Sequence, residues 1–405
     1  MQNQPYRAPD FDLERFRSAP EARFEPAPGD GVLPENFFST TNLPTYVKVG
    51  ERWLLPDAPR MDSAIVRADD GTLRVLEGRL VRRGQAVAIG LAEDGSEGIF
   101  VDGTGLLLAA AEEAGESDFK FMSSAVSREK PVDYQEMARL LVRERAEGGH
   151  VVWVVGPAVL HSRGRDTFVW FVQNGFVGAM MGGNAVAVHD IEHAMLGTTL
   201  GMDTKGRPVV GGHAFHMRAI NRVRAAGSIA AAVDQGLIPN GVMHALVKAD
   251  VPFVLAGSIR DDGPLPDAIT DALVAQEAMR EHAKTATMVI MIATALHSIG
   301  FGNMLPAYAT TASGIRPLIT IAVDSSEFVV SKLKDRGTHQ AFGVITNAQD
   351  FLHVLRSYVE KEAHEASGAS RQPSGGRVQA SGGRHQASSR AQPPSGAGAT
   401  EPVRG

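Results

Sequence analysis

The sequence predicts a doubly wound α/β domain built on a six-stranded parallel sheet and preceded by a small β-rich domain. Six apolar runs, which alternate with segments of helical periodicity, follow His150: Val151–Val155, Phe176–Met180, Pro252–Ala256, Thr287–Ile292, Leu318–Val323 and Ala341–Ile345. These runs show no polar alternation, which is typical of parallel strands buried on both faces. Six such strands alternating with helices favour a doubly wound sheet, with its binding site at the carboxyl ends of the strands.

The stretch ahead of this domain has a different pattern. Short β-like runs separated by turn residues occupy residues 45–49, 63–66, 86–89 and 105–108, so we predict a β-rich domain over residues 30–130. Residues 1–29 are rich in Pro, Arg and Glu and lack a period, which predicts a flexible arm. The α/β domain is then expected over residues 131–365, beginning with an amphipathic helix at Pro131–Arg145. A further helix is predicted to start near Pro266-Asp267.

The last segment, residues 366–405, is rich in Ser, Gly, Gln, Arg and Pro and contains two nearly identical seven-residue stretches, 375–381 and 382–388. Such a composition cannot bury enough apolar surface to fold, so we predict a disordered tail. Its arginines permit a contact with nucleic acid or acidic partners, but a solvated tail is the commoner case and is our interpretation.

Composition excludes several classes of function. The formal net charge of −6 gives no general attraction to nucleic acid or membranes, and no apolar run approaches the roughly 20 residues of a membrane helix. The first residues lack the layout of a signal peptide, so we expect a cytoplasmic protein. The chain has no cysteine, which excludes disulfides, thiolate zinc sites and cysteine nucleophiles.

The first candidate site is the stretch from Phe176 to His193. An apolar strand at Phe176–Met180 is expected to pass through a glycine turn at Gly182-Gly183 into a helix capped by Asn184. The start of such a helix binds anions through free backbone N–H groups, which indicates a nucleotide pocket. The usual G-x-G-x-x-G fingerprint is missing, so another kind of nucleotide domain is required.

Two further candidates lie at the ends of predicted strands. Asp324 follows Leu318–Val323, where a carboxylate can hold both hydroxyls of an adenosine ribose and repel a 2′-phosphate, favouring NAD over NADP. The alternative is a helix cap, because Asp324–Glu327 also fits a capping pattern. Thr294–Gly300 follows Thr287–Ile292 and offers a hydroxyl and His297, suited to phosphate or nicotinamide or to ordinary structural hydrogen bonding.

The loop Ser258–Pro266 follows the strand Pro252–Ala256 and carries Arg260, Asp261 and Asp262. A guanidinium can hold a substrate carboxylate through two hydrogen bonds, and a carboxylate can act as a base or bind an amine. The alternative is a turn with surface ion pairs, although its place at a strand end favours a functional role.

A zinc site is the competing interpretation of His189–His193, which matches the H-x-x-E-H pattern of one zinc peptidase class. The motif lies in the first turns after the predicted glycine turn, where nucleotide domains place phosphate contacts. No third ligand follows at a definite spacing. We therefore predict no metal.

Several longer motifs together resemble a known family. They recur in order in the archaeal-type ornithine cyclodeaminases, a module also found in cyanobacterial arginine dihydrolase/ornithine cyclodeaminase proteins and labelled a lysine-ketoglutarate reductase/saccharopine dehydrogenase-like region. The resemblance runs from about Phe24 to Leu355 and rests on these stretches: Thr41–Thr45, Phe121–Ser124, Glu129–Pro131, Gly156–Ala158, Gly183–Glu192, Arg218–Asn221, Leu255–Pro266 and Leu296-His297.

The resemblance implies an NAD-binding domain similar to that of deoxyhypusine synthase, in a protein that forms homo-oligomers. Family contacts with NAD fall on positions matching Asn184, Ala185, Asp262, Thr294, Ala295, Leu296, His297, Asp324, Asn347 and Ala348. The position of Asn347 is commonly an aspartate in the family, so one contact with the cofactor is expected to differ here.

The activity implied is the conversion of ornithine to proline and ammonia by internal hydride transfer. Asp262 and His297 are the two candidate bases, Arg260 is our choice for the substrate carboxylate, and Asn42 and Lys130 would close the pocket. The rival interpretations are another NAD-dependent enzyme acting on amino or imino acids and a non-catalytic NAD-binding protein.

Two departures from the family give these rivals weight. Relatives usually carry a further small α/β domain ahead of the motif at Thr41–Thr45, and Ser63 stands where they commonly have cysteine. The absence of cysteine also leads us to expect no arginine dihydrolase activity.

Overall fold

The computed structural model describes residues 6–105, 133–161, 164–203, 205–261, 263–311, 314–336 and 340–369. The predicted strand at 105–108, Asp262, Lys130 and most of the predicted tail therefore lie outside the described residues. Residues 365–405 form a unit of their own, of which the structure describes only the end of one helix, up to Ala369.

The β-rich region, residues 23–101, consists of two antiparallel sheets packed face to face. Its seven strands form one sheet in the order β1-β6-β4-β5 and another in the order β3-β2-β7. Val47, Ile65 and Ile99 are fully buried between the sheets. The strands are β1 Arg23–Pro26, β2 Thr45–Val49, β3 Arg52–Leu54, β4 Ala64–Arg67, β5 Leu73–Leu76, β6 Ala86–Ile89 and β7 Ile99–Val101.

The prediction of a flexible arm is wrong for residues 6–29. A short helix, α1 (Glu14–Arg17), places Phe16 in the core with only 1% of its surface exposed, and β1 pairs with β6. The buried ammonium group of Lys48 donates hydrogen bonds to three carbonyls of this segment, those of Phe16, Arg17 and Ala19, at 3.1, 2.9 and 2.6 Å. These contacts hold the segment although its composition resembles that of a loose terminus.

The α/β region, residues 133–364, is organised around a seven-stranded parallel sheet. Its strands are β8 Val151–Val155, β9 Ala179–Gly183, β10 Phe253–Ala256, β11 Ala268–Ile269, β12 Met288–Ile292, β15 Ile319–Asp324 and β16 Gln340–Ile345. The order across the sheet is β11-β10-β9-β8-β12-β15-β16. All six predicted strands are present, although β9 shares only Ala179 and Met180 with the predicted run Phe176–Met180. The two-residue edge strand β11 is an addition that lacks an apolar run.

Helices cover both faces of this sheet. Along β8 the side chains alternate, with Trp153 facing one core and Val152 and Val154 facing the other. The described helices are α2 Tyr134–Ala146, α3 Gly164–Gln173, α4 Asn184–Leu196, α5 Phe215–Ala226, α6 Ile229–Asp234, α7 Val242–Lys248, α8 Ala272–Thr285, α9 Ala295–Gly302, α10 Glu327–Arg336 and α11 Ala348–Ala369. None of these helices is both long and apolar enough to cross a lipid bilayer.

Two predicted boundaries are wrong. We expected a helix to start near Pro266, but Ala268 belongs to β11 and α8 begins at Ala272, where the carboxylate of Asp271 accepts hydrogen bonds from the first-turn N–H groups. We also expected Gly182-Gly183 to form a turn. Both glycines instead complete β9, and the helix α4 starts directly at the end of the strand.

The two regions meet through a buried charge cluster and a hairpin. Glu77 of the β-rich region accepts hydrogen bonds from Arg60 and Arg79 and lies 3.4 Å from Arg280 of α8. Burial raises the pKa of Glu77, but the three guanidinium groups outweigh it and lower the pKa. The hairpin β13 Tyr308–Thr311 and β14 Gly314–Pro317 packs beside the Thr41–Thr45 motif, where Asn42 accepts a hydrogen bond from the N–H of Ala307.

Candidate functional site

The candidate site residues lie along one edge of the seven-stranded sheet. Because all seven strands run parallel, the loops that follow them emerge on the same side. The ends of β9 and β15 are three strand spacings apart, about 14 Å. The described candidates at this edge are Arg260 after β10, Asn184 and Ala185 after β9, Thr294, Ala295, Leu296 and His297 after β12, Asp324 at the end of β15, and Asn347 and Ala348 after β16.

The centre of this edge is the place where the chain changes direction across the sheet. From β8 it continues to β9 on one side, whereas from β12 it continues to β15 on the other. Gly156 follows β8 and donates its N–H to Ile292, and a Cβ atom at this glycine would collide with the carbonyl of Ala293. Ala293 itself has φ 56°, which is strained for a residue with a side chain. Such a crevice is where doubly wound sheets bind ligands.

The start of α4 offers backbone donors to an anion. Its N-cap residue is Gly183, and no side chain caps the helix. Asn184, which we predicted to be the cap, occupies the first helical position, and its side-chain oxygen accepts a hydrogen bond from the N–H of Leu265 at 2.9 Å. Asn184 thus ties the loop after β10 to α4. The 13-residue helix leaves its positive end open at this edge.

His297 reaches from α9 across β8 to the end of β9. Its ring packs on Gly183 so closely that a Cβ atom there would lie 2.8 Å from the imidazole Cε1. Its Nδ1 atom lies 3.2 Å from the hydroxyl of Thr294. Burial lowers the pKa of His297, and the nearby charge of Asp261 opposes that shift. Burial thus favours the neutral imidazole, which has one ring nitrogen able to accept a proton.

The loop after β10 brings Arg260 and Asp261 to a cavity beside α4. The Oδ2 atom of Asp261 accepts a hydrogen bond from the N–H of Ser258 at 2.7 Å, which holds the loop in a tight turn. The cavity has a volume of about 110 Å³. Its polar lining consists of Asn184, His189, His216, Arg260 and Asp261.

Asp324 and Asn347 have local structural roles at this edge. The Oδ1 atom of Asp324 accepts a hydrogen bond from the N–H of Ser326 at 2.9 Å, so the helix-capping alternative has a contact to support it. Asn347 accepts one from the N–H of Gln349 at 2.8 Å, at the start of α11. Ala348 is 8% exposed and packs its side chain into the core. Leu296, in contrast, is 70% exposed.

Some residues of the His189–His193 motif have structural roles, whereas His189 lines the cavity. The buried carboxylate of Asp190 accepts hydrogen bonds from Arg165, at 2.6 Å, and from two N–H groups of α7. The carboxylate of Glu192 is buried as well and holds the loop that follows α4. Within the described parts of the chain, no group of three His, Cys, Asp or Glu side chains is arranged to bind a metal ion.

Ser63, at the position where the resemblance led us to expect a cysteine, lies in the β-rich region and is not among the residues that line this cavity. It is 2% exposed, and its hydroxyl donates a hydrogen bond to the carbonyl of Met61 at 3.3 Å. Sequence reasoning missed Gly156 as a residue of the crevice and His216 as a residue of the cavity. Gly156 could have been recognised, because a glycine directly after a buried strand indicates a close approach of the backbone. No feature of the sequence around His216 indicated that it lines the cavity.

Two family models match the chain. The model of the C-terminal Rossmann fold of arginine dihydrolase ArgZ-like proteins matches residues 135–355. The model of the first region of the same C-terminal part matches residues 44–135.

Curated relatives and solved structures agree with these models. The ornithine cyclodeaminase of Methanopyrus kandleri is 41% identical over 354 residues, which cover 85% of this chain and 81% of that protein. The structure of a conserved putative LOR/SDH protein from Methanococcus maripaludis is 38% identical, with a TM-score of 0.73 over 85% of this chain and 98% of that one.

A further relative has been solved with ligands. The bifunctional arginine dihydrolase/ornithine cyclodeaminase AgrE of Nostoc is 39% identical over 84% of this chain and 47% of its own length. The structure of AgrE in a ternary complex with ornithine and NAD⁺ matches with a TM-score of 0.54 and 36% identity, over 87% of this chain and 47% of that one.

Proposed function

The chain belongs to the ArgZ-like ornithine cyclodeaminase family, and we propose that it converts ornithine to proline and ammonia with NAD as its cofactor. The observation that carries the proposal is the grouping, at one sheet edge, of an uncapped helix start, a neutral histidine and a cavity lined by Arg260 and Asp261. The name and the ligands of the relatives support the same activity.

Three features of the edge fit a dinucleotide. The start of α4 presents free N–H groups to a phosphate, Gly156 keeps side chains out of the crevice, and Asp324 places an acid where a ribose would lie. The residues that would hold NAD are Asn184, Ala185, Asp262, Thr294, Ala295, Leu296, His297, Asp324, Asn347 and Ala348. When bound, NAD supplies a hydride acceptor for the α-carbon of ornithine and a donor for the cyclic imine.

The side chains around the cavity would bind and orient the amino acid. Arg260 is suited to its carboxylate, because a guanidinium pairs with a carboxylate through two parallel hydrogen bonds. His297 is our choice for the base that takes a proton from the α-ammonium group, since its imidazole is neutral and Thr294 holds its Nδ1 side. Asp262 is the other candidate base. Both hydride steps require one bound geometry, so orientation carries much of the reaction.

The experiment is an assay of the purified protein with NAD⁺ and ornithine. We expect proline and ammonia in equal amounts without accumulation of NADH, because the cofactor ends in the form in which it began. Accumulation of NADH with ornithine or another amino acid would instead identify a net dehydrogenase. Binding of NAD⁺ without turnover of any basic amino acid would identify a non-catalytic NAD-binding protein.

We also propose that the protein assembles with copies of itself. Large apolar side chains are exposed on the segments that border the cavity: Leu200, Met202, Val210, Met217 and Ile259. Large apolar side chains exposed on neighbouring segments favour contact with another protein surface. Sedimentation velocity tests this assembly, and a single species of about 43 kDa, the mass of one chain, would contradict it.

A further inference from the structure

His189 lines the cavity, and its ring makes an edge-to-face contact with the ring of His161. The two acidic residues of the motif have structural hydrogen bonds. Asp190 accepts hydrogen bonds from the start of α7, and Glu192 accepts hydrogen bonds from the loop after α4. The Nδ1 atom of His189, by contrast, is shielded from solvent and has no hydrogen-bond partner among the described residues. A buried polar atom left unpaired costs free energy, so it calls for a ligand or a functional role.

The position of His189 relative to Arg260 suits a molecule with a carboxylate at one end and an amine at the other. Both residues line the same cavity of about 110 Å³, which Asp261, His216 and Leu200 also line. Leu200 is held at this cavity because Glu192 accepts a hydrogen bond from its N–H group. The cavity therefore has a cationic end at Arg260 and an imidazole wall on α4 and α5.

We propose that a ring nitrogen of His189 accepts a hydrogen bond from the side-chain amino group of the substrate, whose carboxylate binds Arg260. This assignment rests on the proposed function and adds to it the residue that recognises the second amine of a basic amino acid.

A neutral acceptor suits the reaction at this position. The side-chain amine must lose its proton before it can attack the oxidised α-carbon, and a carboxylate partner would stabilise the protonated form instead. Burial, with smaller contributions from His161 and His216, lowers the pKa of His189 to about 4. His189 thus stays uncharged at neutral pH. Charged groups facing it are confined to Arg260 and Asp261 among the residues that line the described cavity.

The test compares two variants of nearly equal shape, His189→Asn and His189→Asp. Asparagine keeps an uncharged acceptor, whereas aspartate places a negative charge beside the amine. Each variant is assayed for turnover of ornithine from pH 7 to pH 9. Binding of ornithine is measured by calorimetry at saturating NAD⁺, and binding of norvaline, which has the same carbon skeleton without the terminal amine, is the matched control.

We expect His189→Asn, which keeps an uncharged acceptor on a shorter side chain, to lower kcat about threefold and to keep the pH dependence of the wild type. His189→Asp should bind ornithine about tenfold more tightly, since a carboxylate within 4–6 Å raises an amine pKa by about 1 to 3 units. Its kcat should fall about tenfold or more at pH 7 and recover as the pH rises. Its affinity for norvaline should not increase, because norvaline has no terminal amine.

The inference is overturned if His189→Asn and His189→Asp change the binding of ornithine and norvaline alike, or if the loss of kcat in His189→Asp does not depend on pH. Should these variants fail to fold, the pair His189→Gln and His189→Glu makes the same comparison with longer side chains. A wild-type protein that binds ornithine without turnover contradicts the proposed function, while the binding measurements still decide the role of His189. A wild-type protein that does not bind ornithine overturns both.

Discussion

The two edges of the parallel sheet differ in how they treat polar groups. At the amino edge, Glu144 and Arg316 form a buried ion pair at 2.5 Å, and Arg316 also donates a hydrogen bond to the carbonyl of Thr287. At the carboxyl edge the helix start at Gly183 has no side-chain cap, Ala293 is strained, and His189 has an unpaired nitrogen. In the described part of the chain, the amino edge also has unpaired buried atoms, Oε2 of Glu144 and Oγ1 of Thr287. The comparison therefore teaches that the amino edge neutralises its buried charges in an ion pair, whereas the carboxyl edge presents an uncapped helix start and a cavity to a ligand.

The largest effect in this comparison is a loss of stability, which we expect from a substitution at the amino edge. Glu144→Gln removes the charge that compensates the buried Arg316, and breaking a buried ion pair costs about 3 to 5 kcal/mol of unfolding free energy. Urea denaturation measures the loss. The exposed Glu147→Gln on the same turn is the control and should change stability by less than about 0.5 kcal/mol. Equal effects of the two variants would show that the amino edge is not held by this pair.

At the carboxyl edge, Arg260→Gln should leave stability unchanged and weaken substrate use. We expect kcat/KM for ornithine to fall about thirtyfold, because charge-assisted hydrogen bonds contribute about 1.5 to 3 kcal/mol. The fall should appear mainly as a higher KM in steady-state kinetics. Arg222→Gln, an exposed arginine on α5, is the matched control. A kcat/KM that is unchanged in Arg260→Gln would remove this residue from the site.

Asp324 and Asp133 make a matched pair of capping aspartates, one at the end of β15 and the other at the start of α2. Asp133 accepts a hydrogen bond from the N–H of Glu136 at the start of α2, as Asp324 does from Ser326. Asp324→Asn keeps a capping side chain but removes the charge, so we expect about tenfold weaker NAD⁺ binding in titration calorimetry with little change in stability. Asp133→Ala should instead cost about 1 kcal/mol of stability and leave NAD⁺ binding unaffected. The reverse result would mean that Asp324 is only a cap.

The smallest effect that we predict is the pH dependence of stability caused by two histidines at the amino edge. The rings of His150 and His282 contact each other, with Nε2 and Nδ1 3.3 Å apart, and burial lowers the pKa of both below 6.5. Because the unfolded chain takes up these protons more readily, stability should be full above pH 6.5 and should decrease as the pH falls toward the lowered values. Urea midpoints of the wild type and of His282→Gln measure the effect. A variant that loses as much stability on acidification as the wild type would exclude the pair as its source.

The sheet could be predicted because strands buried on both faces carry continuous apolar runs. The run Val151–Val155 is fully buried and was readable without any structure. Strand β1, by contrast, is largely exposed, and its sequence Arg23–Pro26 resembles a loop. Its pairing with β6 depends on contacts distant in the chain, so local sequence could not reveal it. The same limit explains the wrong prediction of a flexible arm.

The sequence predicted which loops form the candidate site, but it did not predict the contacts between their side chains. Placing Asn184, Arg260 and His297 after strands required only the alternation of strands and helices. The packing of His297 on Gly183 requires the strand order β9-β8-β12, which no local pattern encodes. Likewise, the role of Asp190 depends on the N–H groups of Val242 and Met243, more than 50 residues away. The functional roles proposed for these residues remain predictions.

The charge cluster around Glu77 affects how the two regions unfold. If the β-rich region detached while the sheet stayed folded, Arg280 would lose its carboxylate and Glu77 would keep two guanidinium groups at a newly wetted surface. Such a partly opened form would recover little free energy from the hydration of these charges. It would also expose the apolar surface that is buried between the two regions. The two regions should therefore melt in one cooperative step, and heating should not release a folded intermediate that consists of the sheet alone.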